Sequence, residues 1–202
     1  MANANKPFGF KPVGYLNGAP WNGKGRVYSI AASYDQLLYI GDPVISSGTA
    51  DGNGVPGVLI GGATGVLRGS IMAIGRYEHL LADPANLDKL YHTANDAAGM
   101  YCLVADDPAT IFEIQEEGGL ATQLAATDVG ANTVPVSGTG NGYLSGWLLA
   151  GYTTAAPTTT ATLQLKLLGL ARRPGNVFGA YAKWLVSINV HELGHGTGAV
   201  GI

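Results

Sequence analysis

The strongest constraint on this chain is the shape of its apolar runs. They are short, they tend to alternate with polar residues, and they are cut off by glycine, proline, asparagine or aspartate. Leu163-Gln-Leu-Lys-Leu167 shows the pattern most clearly, with leucines on one face and polar side chains on the other. The 202 residues include 31 glycines and 10 prolines, a density of turn formers that leaves little room for long helices. The pattern predicts an all-β, mainly antiparallel fold, a small β-barrel or sandwich. Strands are expected near 26–31, 37–45, 55–60, 66–77, 100–105, 110–115, 133–136, 144–150, 162–171 and 183–192. Asp51-Gly52-Asn53-Gly54 and Asn141-Gly142 read as hairpin-type turns. One short helix fits Asp83 through Tyr91, with Asp83 as N-cap and Pro84 in its first turn, and a second fits 119–126.

The chain divides into an extended N-terminal arm (1–25), a β-rich body (26–193) and a flexible glycine-rich C-terminal tail (194–202). In the arm, Pro7, Pro12 and Pro20 hold the backbone extended, and Phe8, Phe10, Tyr15 and Trp21 need a surface to bury against. That surface is either the body of the same chain or a neighbouring subunit. These four aromatics are the candidate capsid or subunit contacts of the reading developed below. An edge strand and its turn would account for the segment equally well.

Charge excludes some partners. Only 12% of residues are charged, the net charge is −3, and only Arg172 and Arg173 are adjacent basic residues, so nothing points to nucleic acid. No apolar stretch has the length of a membrane span and the N-terminus lacks a leader pattern, which implies a soluble protein made without export. Cys102 is the lone cysteine and reads as a buried thiol. Between Asp128 and Lys166 there is no charged residue, a gap that suggests burial against another subunit.

His191-Glu192-Leu193-Gly194-His195 is a literal H-E-x-x-H, the zinc-peptidase signature. The chemistry needs a helix, because only there do residues i and i+4 put two imidazoles on one metal with the Glu beside the bound water. The preceding Trp184 to Val190 instead alternates like a strand, on which His191 and His195 would lie about 13 Å apart. Four glycines follow within 194–201, and no third ligand has a recognisable spacing. The expectation is a strand end, with no metal and no cofactor. A zinc peptidase using His191 and His195 remains the alternative of another class.

Other motifs are weaker. Gly18 to Lys24 spells most of a P-loop, yet Gly25 replaces the magnesium ligand and a strand follows. Gly52-Asn-Gly54-Val-Pro-Gly57 opens a strand where a dinucleotide site needs a helix. Asp106, Asp107, Glu113, Glu116 and Glu117 form an acidic cluster in which Phe112 and Ile114 alternate with Glu113, Gln115 and Glu117, the pattern of a strand with a solvated outer face.

Taken together, Phe8-Gly-Phe-Lys-Pro12 with Gly18-Ala-Pro20, Tyr39-Ile-Gly-Asp-Pro-Val44, Val104-Ala-Asp-Asp-Pro108 with Phe112-Glu-Ile-Gln115, and Arg172-Arg-Pro-Gly-Asn176 with Ala182 to Asn189 resemble small virion structural proteins of tailed bacteriophages. The resemblance spans nearly the whole chain and implies a capsid cement or decoration protein. Such a protein is non-enzymatic, commonly a homotrimer, and binds the major capsid protein on the outer surface of the head. It would be found in the virion, and in the host cytoplasm during assembly. The resemblance alone favours head over tail or neck, and in it Glu192 and His195 have no catalytic counterpart. A host-surface adhesin with glycan-binding Gly/Thr/Asn loops is a third class of reading.

Overall fold

A computed structural model describes residues 3–76, 91–119, 121–194 and 198–201. The fold is all-β and mainly antiparallel. Its elements are β1 (Lys11–Tyr15), β2 (Arg26–Ile30), β3 (Leu38–Tyr39), β4 (Pro43–Ala50), β5 (Pro56–Ile60), β6 (Gly69–Gly75), β7 (Tyr91–His92), β8 (Met100–Ala105), β9 (Thr110–Gln115), β10 (Asn132–Thr133), β11 (Pro135–Val136), β12 (Leu148–Leu149), α1 (Tyr152–Ala155), β13 (Leu165–Leu170) and β14 (Lys183–Ile188).

Two bodies of strands organise the chain. Strands β2-β5-β4-β6-β8 close into a ring, with the parallel contact Ser29 to Gly57 joining β2 to β5. Strands β1-β9-β14-β13-β10 form an open antiparallel sheet. Inside the ring, Tyr28, Ile30, Val44, Val58, Ile71, Cys102 and Val104 make one apolar core. The inner face of the open sheet makes the other, where Phe112, Ile114, Trp184, Val186, Leu165 and Leu167 pack with Leu67, Trp147 and Leu149. At about 1.5–3 kcal/mol for each fully buried large apolar side chain, these two cores are what hold the chain closed.

Most expected strands appear, and the departures have local causes. The expected strand at 37–45 is two strands, β3 and β4, because Gly41 adopts a φ of 93° and turns the chain between them. The expected strand at 144–150 shrinks to Leu148–Leu149: Gly146 lies against the backbone of 138–140, where a Cβ would fall 2.3 Å from the Gly138 oxygen. The Asp51 turn forms as expected, its carboxylate accepting from the Asn53 and Val55 amides at 2.9 and 2.8 Å. The helix expected from Asp83 lies outside the described residues, except that its last residue, Tyr91, belongs to β7. The helix expected at 119–126 is replaced by a 3₁₀ turn at Ala126–Asp128, and the four-residue α1 had no signal in the sequence.

The N-terminal segment lies on its own body. β1 is the edge strand of the open sheet, paired with β9, and Phe10 is buried against Phe112 with ring centroids 5.9 Å apart and nearly perpendicular. Phe10 is therefore not left for a neighbour. Phe8, Tyr15 and Trp21 are half-buried, and the Tyr15 hydroxyl meets the Asn22 side chain at 3.0 Å. Farther out, residues 3–6 cross the outer face of the sheet. Asn3 donates to the carbonyls of Val177 and Ala180, Gln115 donates to Asn5, and the Lys6 amide donates to Gln115.

That crossing corrects the reading of the acidic strand. Phe112 and Ile114 do point inward, but Glu113 and Gln115 on the other face are buried as well. The outer face of β9 is covered by residues 3–6 and by the turn after β13, whose Arg173 pairs with Glu113 at 2.8 Å. Alternation locates the two faces of a strand and leaves open what distant segment covers each.

The C-terminal residues described, 198–201, are likewise tied down. Asn132 donates to the Ala199 carbonyl at 2.7 Å, Lys166 to that of Val200 at 2.8 Å, and the Gly201 amide to Thr159 at 3.0 Å. The Ala199 amide donates to Asn189. These bonds hold the tail against Asn132 and Thr159 in the charge-free stretch, while Tyr143 and Tyr152 farther along it stay exposed. Asparagine amides serve here because irregular backbone offers carbonyls that no ladder satisfies.

Candidate functional site

Three places bring chemical groups together: the H-E-x-x-H segment, the end of β9, and a groove beneath the N-terminal arm.

The described part of the H-E-x-x-H segment, residues 191–194, is not helical. β14 ends at Ile188 and the chain crosses to the strand ring, where the Leu67 amide donates to Val190 and the Glu192 amide donates to Leu67. Both Glu192 oxygens are engaged: one accepts from the Ser46 amide at 2.9 Å, the other from the Ser46 hydroxyl at 2.9 Å and from Arg68 Nε at 2.5 Å. Arg68 also donates to Ser46 and lies over the Tyr28 ring, 5.6 Å from its centroid. The Tyr28 hydroxyl donates to Asp106 at 2.6 Å, and Asp106 pairs with Arg26 at 3.3 Å. Glu192 therefore anchors the end of the chain to the ring and has no free oxygen for a metal-bound water. The serine and arginine bonds hold its carboxyl below the usual glutamate range despite burial.

His191 is buried, and its Nδ1 accepts the Leu193 amide at 3.0 Å, which leaves the proton on Nε2, itself enclosed and without a partner among the described residues. Burial pushes its pKa down, so the ring is neutral, and neither nitrogen offers a free lone pair. His195 lies outside the described residues. Among the described residues no three His, Cys, Asp or Glu side chains cluster as metal ligands. Cys102 is fully buried in the ring, and desolvation raises its thiol pKa, which keeps it protonated.

At the end of β9, Glu116 accepts from the Leu124 amide at 2.7 Å and from Trp184 Nε1 at 3.1 Å, and Glu117 accepts from the Gly151 amide at 2.8 Å. Asp128 accepts from Ala125 and from the Tyr152 hydroxyl. Three carboxylates thus fasten the irregular stretches 117–131 and 150–152 to the sheet. Burial raises Glu116 to about 7 and Asp42 to about 6, the two hydrogen bonds on each only partly offsetting desolvation.

Both groups hold their protons more tightly folded than unfolded, so the folded state is favoured by protonation. Stability should accordingly decline as pH rises from about 4 to 7, by at most about 1.4 kcal/mol per pH unit for each group. Thermal melts should show a higher Tm at pH 6 than at pH 8, and Asp42→Asn should flatten the slope. A Tm that rises steadily to pH 8 would refute the assignment.

The groove has a volume of about 790 Å³ and lies between the arm, the β3–β4 turn and the turn after β13. Phe8, Ile40, Met72 and Leu144 supply apolar wall. Lys6, Lys11, Arg173 and Lys183 also line it, and among the described residues no carboxylate does. Lys183 is buried, and its ammonium donates to the carbonyls of Ala4 at 2.6 Å and Tyr181 at 2.7 Å. Burial first, and the nearby Arg173 charge second, lower its pKa. Arg173 opens a turn closed by the Asn176 amide donating to its carbonyl at 3.2 Å.

Lys183 is the clamp on the arm. Lys183→Met should leave the cores intact and speed hydrogen exchange at the Lys6 amide about tenfold or more, since a hydrogen bond to a charged group contributes roughly 1.5–3 kcal/mol. Unchanged exchange at Lys6 would show that the arm is held elsewhere.

The P-loop-like segment and the Gly52 to Gly57 segment are loop and hairpin with no helix N-terminus behind them. Among the described residues no helix is long and apolar enough to cross a membrane. No protein-family model, no curated protein and no solved structure matches the chain.

Proposed function

We propose that the protein is a non-enzymatic structural protein of a tailed-phage head, a cement or decoration protein that binds the outer capsid surface as a homo-oligomer, commonly a trimer, and adds contact area across joints between major capsid subunits. The observation that carries the reading is where the charge goes. Five carboxylates, Asp42, Asp106, Glu113, Glu116 and Asp128, are buried in internal bonds, while Leu16, Tyr143, Tyr152, Val177, Phe178 and Val200 are exposed. Among the described residues, a surface with few exposed carboxylates and several large apolar side chains suits broad contact with another protein.

The segments that carry the likeness to virion proteins also meet in space. Phe8-Gly9-Phe10 packs on Gly41, the Phe10 amide donating to the Gly41 carbonyl at 2.8 Å, and Arg173 reaches Glu113. They support the reading as interlocking parts of one scaffold with no catalytic group among them. The mechanism is additive: if each copy buries on the order of 1,000 Å² against the shell, many copies resist internal pressure without chemistry.

Purified particles should contain the protein in stoichiometric copies, and labelling should place it on the head. Its absence from particles would sink the proposal, and label on the tail or neck would move it there.

A further inference from the structure

Four cations line the groove beneath the arm; among the described residues no carboxylate lines it, and Glu113, the cross-strand neighbour of Lys11, lies beside it. Arg173 is half-satisfied by Glu113, and Lys183 spends two of its donors on backbone carbonyls. Lys6 and Lys11 are exposed and have no carboxylate partner among the described residues. Between these cations the wall is apolar, with Ile40, Met72 and Leu144 facing the space. The site therefore combines excess positive charge with unfilled apolar surface, and its volume suits a few residues of extended chain.

From this we infer that the groove receives an extended peptide segment that alternates acidic and large apolar side chains, supplied by a neighbouring subunit of the shell. Lys6 and Lys11 are five residues apart on the arm, up to about 16 Å along an extended chain. Acidic residues spaced along an extended segment can meet both. The apolar side chains between them would face Met72 and Leu144. The groove's chemistry stands on its own, and only the source of the segment rests on the cement reading.

The test uses the full chain and three labelled synthetic pentapeptides, read by fluorescence anisotropy. Glu-Leu-Glu-Leu-Glu should bind at least about tenfold more tightly than Lys-Leu-Lys-Leu-Lys or Glu-Ser-Glu-Ser-Glu, and high salt should weaken it. Lys6→Glu combined with Lys11→Glu should abolish that preference while the circular dichroism spectrum stays that of the parent, with a small fall in Tm because residue 11 faces Glu113 across the strands. Met72→Ser should weaken Glu-Leu-Glu-Leu-Glu and leave Glu-Ser-Glu-Ser-Glu unchanged. Equal binding of all three peptides would overturn the inference, as would a preference that survives the double charge reversal. Tight binding of dodecanoate with no peptide binding would also overturn it, making the groove a small-amphiphile site. Absence of the protein from particles would remove the cement reading and leave the peptide result standing.

Discussion

Gly9→Ala should lower stability by about 2–5 kcal/mol, a fall in Tm on the order of 5–15 °C for a chain of this length. Gly9 has a φ of 68°, and a Cβ there would lie 2.2 Å from the Gly41 oxygen and 2.4 Å from the Ser145 Cβ. Two costs add: left-handed backbone for a residue with a side chain, and collision with a backbone that has nowhere to go. Relief is closed off on several sides. Gly41 itself has a φ of 93° and approaches the Phe8 carbonyl, and the Ser145 amide donates to Ile40 at 2.9 Å. Gly18→Ala is the matched control, since Gly18 has a φ of 86° with nothing within 4 Å of an added Cβ. It should cost only about 1 kcal/mol. Denaturant melts of the two variants separate strain from collision, and equal losses would show that the Gly9 to Gly41 approach relaxes freely.

The second large effect concerns the C-terminal anchor. Glu192→Ala should cost about 2–4 kcal/mol, because it strands the Arg68 guanidinium, whose side chain is 17% exposed, and removes the acceptor of the Ser46 amide. Arg68→Met combined with Glu192→Leu should recover part of that loss, as replacing both members of an enclosed pair by apolar groups often does. A catalytic glutamate would behave differently, its removal leaving stability nearly untouched. Melts of the two singles and the double make the cycle, and a Glu192→Ala protein as stable as its parent would refute the anchoring role.

Much of the strand content was legible because it depends on local alternation and turn chemistry. Leu165 to Leu167 and the Asp51 turn need no information beyond a few neighbouring residues, but Leu163 and Gln164 precede β13, and Gln164, on the face expected to be wet, is buried with its amide donating to the Gly62 carbonyl. The strand-like character before His191 is legible in the same way, and it argues against the helix that a zinc signature needs. The outer face of β9 was not legible. Glu113 and Gln115 carry the pattern of a solvated face, and only the return of residues 3–6 and of Arg173 buries them. The groove was equally hidden, since its cations come from Lys6, Lys11, Arg173 and Lys183, at opposite ends of the chain.

The sequence by itself determined that this chain builds short antiparallel strands, that its aromatic N-terminal segment needs a surface, and that a strand precedes His191; the strand stops at Ile188, short of the expected 192. Those properties follow from a period of two and from glycine and proline spacing, which act over a few residues. Tertiary structure alone decided that Phe10 is spent in its own core, that Glu192 anchors the chain through Arg68 and Ser46, and that the carboxylates turn inward while four cations gather at one groove. Burial and charge pairing depend on which distant segments meet, and no local pattern encodes that meeting.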